Sequence, residues 1–144
     1  VRVTGVQTCA LPISYHVDQL AFDVHIDGHS TRIDTTEEDG SLDSGPSPKK
    51  LLLGTLAACT GMDVAGMLKK MRVPFSDLSI QTTAELTEEH PKVFTEVHVI
   101  YRIKVEARHQ KKVERAVELS KDKYCGVSAM LKENSPVYYR IEFL

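Results

Sequence analysis

From Leu51 to Leu68 the chain runs through eighteen residues with Asp63 as the only charge, and this run constrains everything around it. Pro48, just before it, suits a first helical position, where its missing N–H costs nothing, and Ser47 is a natural N-cap. Lys69, Lys70 and Arg72 complement a helix C-terminus, and Pro74 forbids continuation. The pattern predicts a helix from Pro48 to about Met71, about 36 Å long at 1.5 Å per residue. Leu52, Thr55, Leu56, Cys59, Met62, Asp63 and Gly66 share one face, yet apolar residues also occupy most of the others. Such a helix needs an envelope on nearly all sides, either lipid or protein. Lipid is disfavoured: a central Asp costs roughly 2.5 to 3.5 kcal/mol on insertion scales, and Gly54, Thr55, Thr60, Gly61 and Gly66 weaken the span further. No membrane partner is expected. One sheet covers one or two faces of this helix, so the remainder points to packing against a second copy of the chain.

At 144 residues, 42% hydrophobic and 26% charged, with formal net charge -2, the chain fits one ordinary globular domain. It has no long Lys/Arg block, so no nucleic-acid partner is expected. Cys9, Cys59 and Cys125 form an odd, sparse set without CxxC spacing, which argues against a disulfide scaffold. His25, His29, His90 and His98 are scattered, so the expectation is no metal site and no cofactor. The start, VRVTGVQTCALPIS, lacks a basic n-region and a long apolar h-region, and it looks like translated sequencing-adapter sequence. Residues 1–14 are therefore read as a non-native leader, residues 15–144 as a single domain, and the setting as reducing and cytoplasmic.

Around the helix the pattern is mixed. Phe22, Val24 and Ile26 alternate with Asp23 and His25, turn at Asp27-Gly28 and resume through Ile33, which is a hairpin pattern. Residues 35–47 read as an exposed polar loop. Strands are predicted over 78–86 and 93–105, with Val97, Val99, Tyr101 and Ile103 on a buried face. Residues 109–132 read as helix, with Val113, Ala116, Val117, Ser120, Tyr124 and Val127 on a stripe and a kink or break at Gly126. VYYRIEFL is a closing strand. This order gives an α+β fold without the regular βαβ alternation of a nucleotide-binding sheet.

No phosphate-binding glycine motif and no nucleophile elbow occurs, so any chemistry rests on cysteine. Alone, Cys59 reads as a small core residue, since free cysteine is among the most buried types. Asp63, four residues on and on the same face, needs donors or a cation nearby; pairing with Arg102 or Lys104 is one solution, service to the thiol another. Cys59 lies too deep in the helix for the dipole to stabilise a thiolate, and Arg32 on the first hairpin is the best-placed cation, with a solvated strand charge as the plainer reading. Cys125, sixty-six residues on, is either coincidence or a resolving thiol.

GPSPKKLLLGTLAACTGMDVAGMLKKM, EEHPKVFTEVHVIYRI and LSKDKYCGVSAMLK together resemble the OsmC and organic-hydroperoxide-resistance family, and more narrowly its branch of small OsmC-like redox proteins. The resemblance covers roughly residues 20–144. It implies an OsmC-like fold: an intertwined homodimer whose long buried central helices are wrapped by antiparallel sheets from both chains. It also implies a thiol peroxidase without metal or organic cofactor. In that scheme Cys59 attacks the O–O bond of an organic hydroperoxide and becomes a sulfenic acid, Cys125 condenses with it, and a dithiol reductant restores both thiols. Where peroxidases of the family carry a glutamate after the helix-opening proline, this chain has Lys49 and Lys50, with Arg32 near the place of the family arginine. The competing expectation is a non-catalytic binding protein for a hydrophobic small molecule on the same dimer fold.

Overall fold

The computed structural model describes residues 12–144; Val1 to Leu11, with Cys9 and most of the stretch read as a leader, lie outside the described residues. The chain divides into two compact units, one ending at Leu51 and the other spanning Leu52–Leu144.

The first unit is an antiparallel meander of β1 (Ile13–Asp18), β2 (Ala21–Ile26) and β3 (His29–Ile33), in that order. Ile13 and Ser14 therefore already belong to a strand. The β2–β3 turn is the one the sequence announces: Asp27 and Gly28 both take positive φ (49° and 79°), as a two-residue hairpin matched to strand twist requires. The loop after β3 is organised by Asp34, which is buried and accepts hydrogen bonds from the Thr35 N–H, the Ser44 N–H and hydroxyl, and the Ser41 hydroxyl. Burial pushes its pKa up, but these donors outweigh it and hold the carboxyl well below the usual range.

The helix α1 (Pro48–Lys70) carries Lys69 and Lys70 in its last turn. It ends in a Schellman motif: the Val73 N–H bonds Leu68 O at 2.9 Å, the Arg72 N–H bonds Lys69 O at 3.1 Å, and Arg72 sits at φ 56°. Its inner stripe is Leu56, Thr60, Val64 and Leu68, repeating every four residues. The sequence-derived face shares only Leu56 with this stripe. Most of that face is less buried, and Met62 is 75% exposed. By length and composition α1 could cross a membrane, but its inner stripe is packed as a core helix.

The second unit covers that stripe with a sheet in the order β4 (Ser76–Leu86), β5 (Phe94–Lys104) and β6 (Val137–Phe143). β4 runs antiparallel to β5, and β6 joins β5 in parallel. Val97, Val99, Tyr101 and Ile103 are fully buried, the face their alternation predicted. The sheet approaches α1 so closely that a Cβ on Gly61 would lie 2.6 Å from Ile80 Cδ1, and Thr82 Oγ1 donates to Leu53 O at 3.0 Å.

The long second helix of the sequence reading is two helices, α2 (Gln110–Leu119) and α3 (Gly126–Lys132), joined by one π-helical turn over Ser120–Tyr124. Val113, Ala116, Val117 and Ser120 are buried as expected. Tyr124, expected on the same stripe, is 54% exposed instead. The reason is geometric. The turn closes with the Cys125 N–H on Ser120 O, five residues back at 2.9 Å, so the place above Ser120 passes to Cys125 and Tyr124 rotates outward.

Candidate active site

Two elements deliver the thiols. α1 carries Cys59, half-buried, beside the inner-stripe Thr60, and the π-helical turn swings Cys125 inward until it is 3% exposed. The Cys125 S–H donates to Cys59 Sγ across 3.0 Å. Both cysteines are free. Cys125 also caps α3, its sulfur accepting the Ser128 N–H at 3.4 Å. Burial, and then the hydrogen bond donated to Cys59, push the Cys125 thiol up to about 11; the Ser128 N–H opposes this, while Cys59 and Asp63 add to it.

Asp63 stands one helical turn beyond Cys59. A carboxylate oxygen and the two sulfurs lie within 4.8 Å of one another. Its partner is neither Arg102 nor Lys104: Arg102 is taken by Glu142 (Nε to Oε2, 2.7 Å) and Gln81, and Asp63 Oδ2 accepts from Ser120 Oγ at 2.9 Å. Ser120 Oγ lies 2.8 Å from Thr60 Oγ1, which lies 2.6 Å from the Tyr101 hydroxyl. Thr60, Tyr101 and Ser120 are all fully buried. Each hydroxyl has one proton, so the bond that Ser120 donates to Asp63 sets the order of the chain: Tyr101 donates to Thr60, Thr60 to Ser120, and Ser120 to Asp63. On the far side of Cys125, the Ser128 hydroxyl bonds the Tyr139 hydroxyl, and Tyr139 lies beneath Lys121 and Lys132 Nζ at 5.6 and 5.5 Å. Burial raises both tyrosine phenols and keeps them protonated.

The electrostatic sign of Asp63 bears on its expected supporting role. A negative carboxylate beside a thiol disfavours the thiolate, so Asp63 can assist a thiol by accepting its proton and not by stabilising its charge. Arg32 belongs to the first unit, where its guanidinium is bidentate to Asp23 across the β2–β3 register and bonds Ser44 Oγ at 3.2 Å. Cys59, Asp63 and Cys125 also form a three-donor set for a soft cation. The 3.0 Å sulfur separation, however, is shorter than the roughly 3.8 Å that a tetrahedral zinc with 2.3 Å bonds imposes, so the geometry suits sulfur–sulfur chemistry better. Next to Asp63 an open, mostly apolar recess of about 420 Å³ is walled by Met62, Met67, Met71, Leu119 and Tyr124, with Lys70 among its lining residues.

The structure brings the expected Cys59, Cys125 and Asp63 together, and sequence reading did not single out Thr60, Tyr101 or Ser120 as their neighbours. The available signal was weak: hydroxyls at positions whose spacing marks them as core.

The α+β fold thus holds two free thiols whose sulfurs lie 3.0 Å apart. The family model described as OsmC-like protein matches residues 39–140, and the chain belongs to that family. Protein YhfA of Escherichia coli K12 is 33% identical over 106 residues, 74% of this chain and 76% of that protein. A hypothetical protein from Aquifex aeolicus superposes with TM-score 0.83 at 27% identity, over 96% of this chain and 98% of its own. The organic hydroperoxide resistance protein OsmC of Legionella pneumophila shares the fold with TM-score 0.67 at 16% identity, over 95% and 98% of the two chains.

Proposed function

We propose that the protein is a cysteine-based peroxidase that reduces organic hydroperoxides. The observation that carries this reading is the 3.0 Å contact between Cys59 and Cys125 sulfurs, against 2.03–2.05 Å in a disulfide. The Cys59 sulfur attacks the O–O bond as its thiol proton is released and ends on the departing alkoxide, so the products are the Cys59 sulfenic acid and an alcohol. The Cys125 thiol then displaces water from that sulfenic acid, forming the disulfide. A dithiol reductant exchanges with the disulfide, restoring two thiols and leaving itself oxidised. The sum is one hydroperoxide and one dithiol converted to alcohol, water and a cyclic disulfide. The half-buried Cys59 is the more accessible sulfur and suits the attacking role, and the buried Cys125 suits the resolving one. Family membership supports a redox role, and the name of the Legionella relative speaks of hydroperoxide resistance. The uncovered apolar side of α1, Met62 above all, supports a homodimer, and the free thiols suit a cytoplasmic setting.

Cys59→Ser abolishes consumption of cumene hydroperoxide with a dithiol, and Cys125→Ser leaves a sulfenic acid that dimedone traps. A wild-type protein that consumes no hydroperoxide with monothiol or dithiol reductants ends this reading. The methionine-lined recess favours a second one, a binding protein for an apolar small molecule. An apolar ligand retained by Cys59→Ala in native mass spectrometry, with no peroxide turnover in the wild type, would establish it.

A further inference from the structure

The peroxidase reading leaves proton movement unassigned. Both half-reactions remove a proton from a thiol and deliver one to an oxygen leaving from, or displaced by, Cys59. In the first the departing group is an alkoxide, in the second the hydroxyl of the sulfenic acid. Transfer from a thiol to an alkoxide or hydroxide is downhill overall, because the oxygen is the far stronger base, so what is needed is a relay and not a sink. The relay must reach both sulfurs. Asp63 does so, because one of its oxygens and the two sulfurs lie within 4.8 Å of one another, a gap that one bridging water closes.

A second observation concerns how Asp63 is held. Ser120 clamps its Oδ2, and Ser120 is also the residue whose carbonyl closes the π-helical turn on the Cys125 N–H. The carboxylate and the resolving thiol are thereby referred to one residue. Behind Ser120 stand Thr60 and Tyr101, fully buried in an otherwise apolar core. A buried hydroxyl chain gains little over apolar packing and is costly when any link fails, so its stability contribution alone does not account for it.

We propose that Asp63 relays protons in both half-reactions, taking the proton of Cys59 and then of Cys125 and passing it to the leaving oxygen, and that Ser120, backed by Thr60 and Tyr101, is its positioning residue. This rests on the peroxidase reading. In the first step the proton leaves Cys59 for Asp63 as sulfur attacks, and Asp63 returns it to the departing alkoxide. In the second it leaves Cys125 as the S–S bond forms, and Asp63 returns it to the departing hydroxide, giving water. Asp63 ends each step as it began. The titratable and charged groups of this unit beside it are Cys59 from α1 and Cys125 at the N-cap of α3, with Lys70 and Tyr124 lining the adjoining recess and Tyr101 of β5 at the far end of the chain.

The test separates relay from scaffold by two readouts on the reduced full-length protein. Asp63→Asn keeps the shape and an oxygen acceptor for Ser120 but cannot carry the proton. The expected result is a fall in single-turnover disulfide formation with cumene hydroperoxide on the order of 10²-fold at neutral pH, partly recovered as pH rises. In the same variant, alkylation of Cys59 by iodoacetamide is unchanged or faster, because a negative charge has been removed from beside the thiol. Ser120→Ala slows disulfide formation without moving its pH profile or the alkylation rate. Overturning results are Asp63→Asn closing its disulfide at the wild-type rate, or alkylation and closure falling together, which marks a structural role. A wild-type protein that forms no disulfide with hydroperoxide removes the reaction and the relay with it, and is seen before any variant is made.

Discussion

Cutting the buried hydroxyl chain at different links has unequal costs. Thr60 sits in the middle, bonded to Tyr101 at 2.6 Å and Ser120 at 2.8 Å, all three groups without exposure. Thr60→Val is nearly isosteric, so it opens little cavity, but it leaves the Tyr101 O–H with no acceptor and removes the donor to Ser120. An orphaned buried donor costs about 1 to 3 kcal/mol and a lost net hydrogen bond about 1, so the sum is about 2 to 4 kcal/mol. Tyr101→Phe removes the terminal donor and orphans only a lone pair of Thr60, which still donates to Ser120; about 1 kcal/mol is expected. With 144 residues and an unfolding entropy of about 2.1 cal/mol/K per residue, 1 kcal/mol shifts Tm by about 3 °C. Thermal unfolding at fixed protomer concentration should thus place Thr60→Val about 7 to 13 °C below wild type and Tyr101→Phe about 3 °C below. The double variant should lie above Thr60→Val alone, because the second change deletes the orphaned hydroxyl. Equal shifts for the two single variants, or a double variant at the sum of both, would refute the donor order.

Three further outcomes follow from particular residues. In the reduced protein iodoacetamide labels Cys59 before Cys125, and labelling of Cys125 rises roughly tenfold per pH unit between about 8 and 10, since its thiol is pushed up to about 11; mass-resolved labelling that is flat across this range contradicts the assignment. Arg72→Gly relieves a side chain at φ 56° in the Schellman position and raises stability by about 0.5 to 1 kcal/mol, read as a Tm increase of about 2 to 3 °C. Asp34 has a folded-state pKa below its unfolded value near 3.9, so its contribution is complete above about pH 5 and lost as pH falls; the Tm gap between wild type and Asp34→Asn should therefore narrow on acidification, and a gap constant down to pH 3 would contradict the buried carboxylate.

The features legible in the sequence are those set within a few residues. Ser47-Pro48 opens α1, Asp27-Gly28 turns the first hairpin because both residues tolerate positive φ, and the alternation in β5 marks a face that is buried. The family was legible too, since the motifs around Cys59 and Cys125 resemble those of a known one. Family membership bears out that resemblance.

What tertiary structure decided is phase and partnership. A helix apolar all round carries little directional signal, so only the close approach of β4 and β5 selects Leu56, Thr60, Val64 and Leu68 as its inner stripe. The period of 3.6 assigns Tyr124 inward, but one π-helical turn adds a residue to the winding and gives that place to Cys125. Thr60, Tyr101 and Ser120, between 19 and 60 residues apart in the chain, are unremarkable alone and become a proton-ordered chain only when packed together. Local sequence sets backbone conformation because its cost is local, whereas the site depends on distances between elements, which only packing fixes.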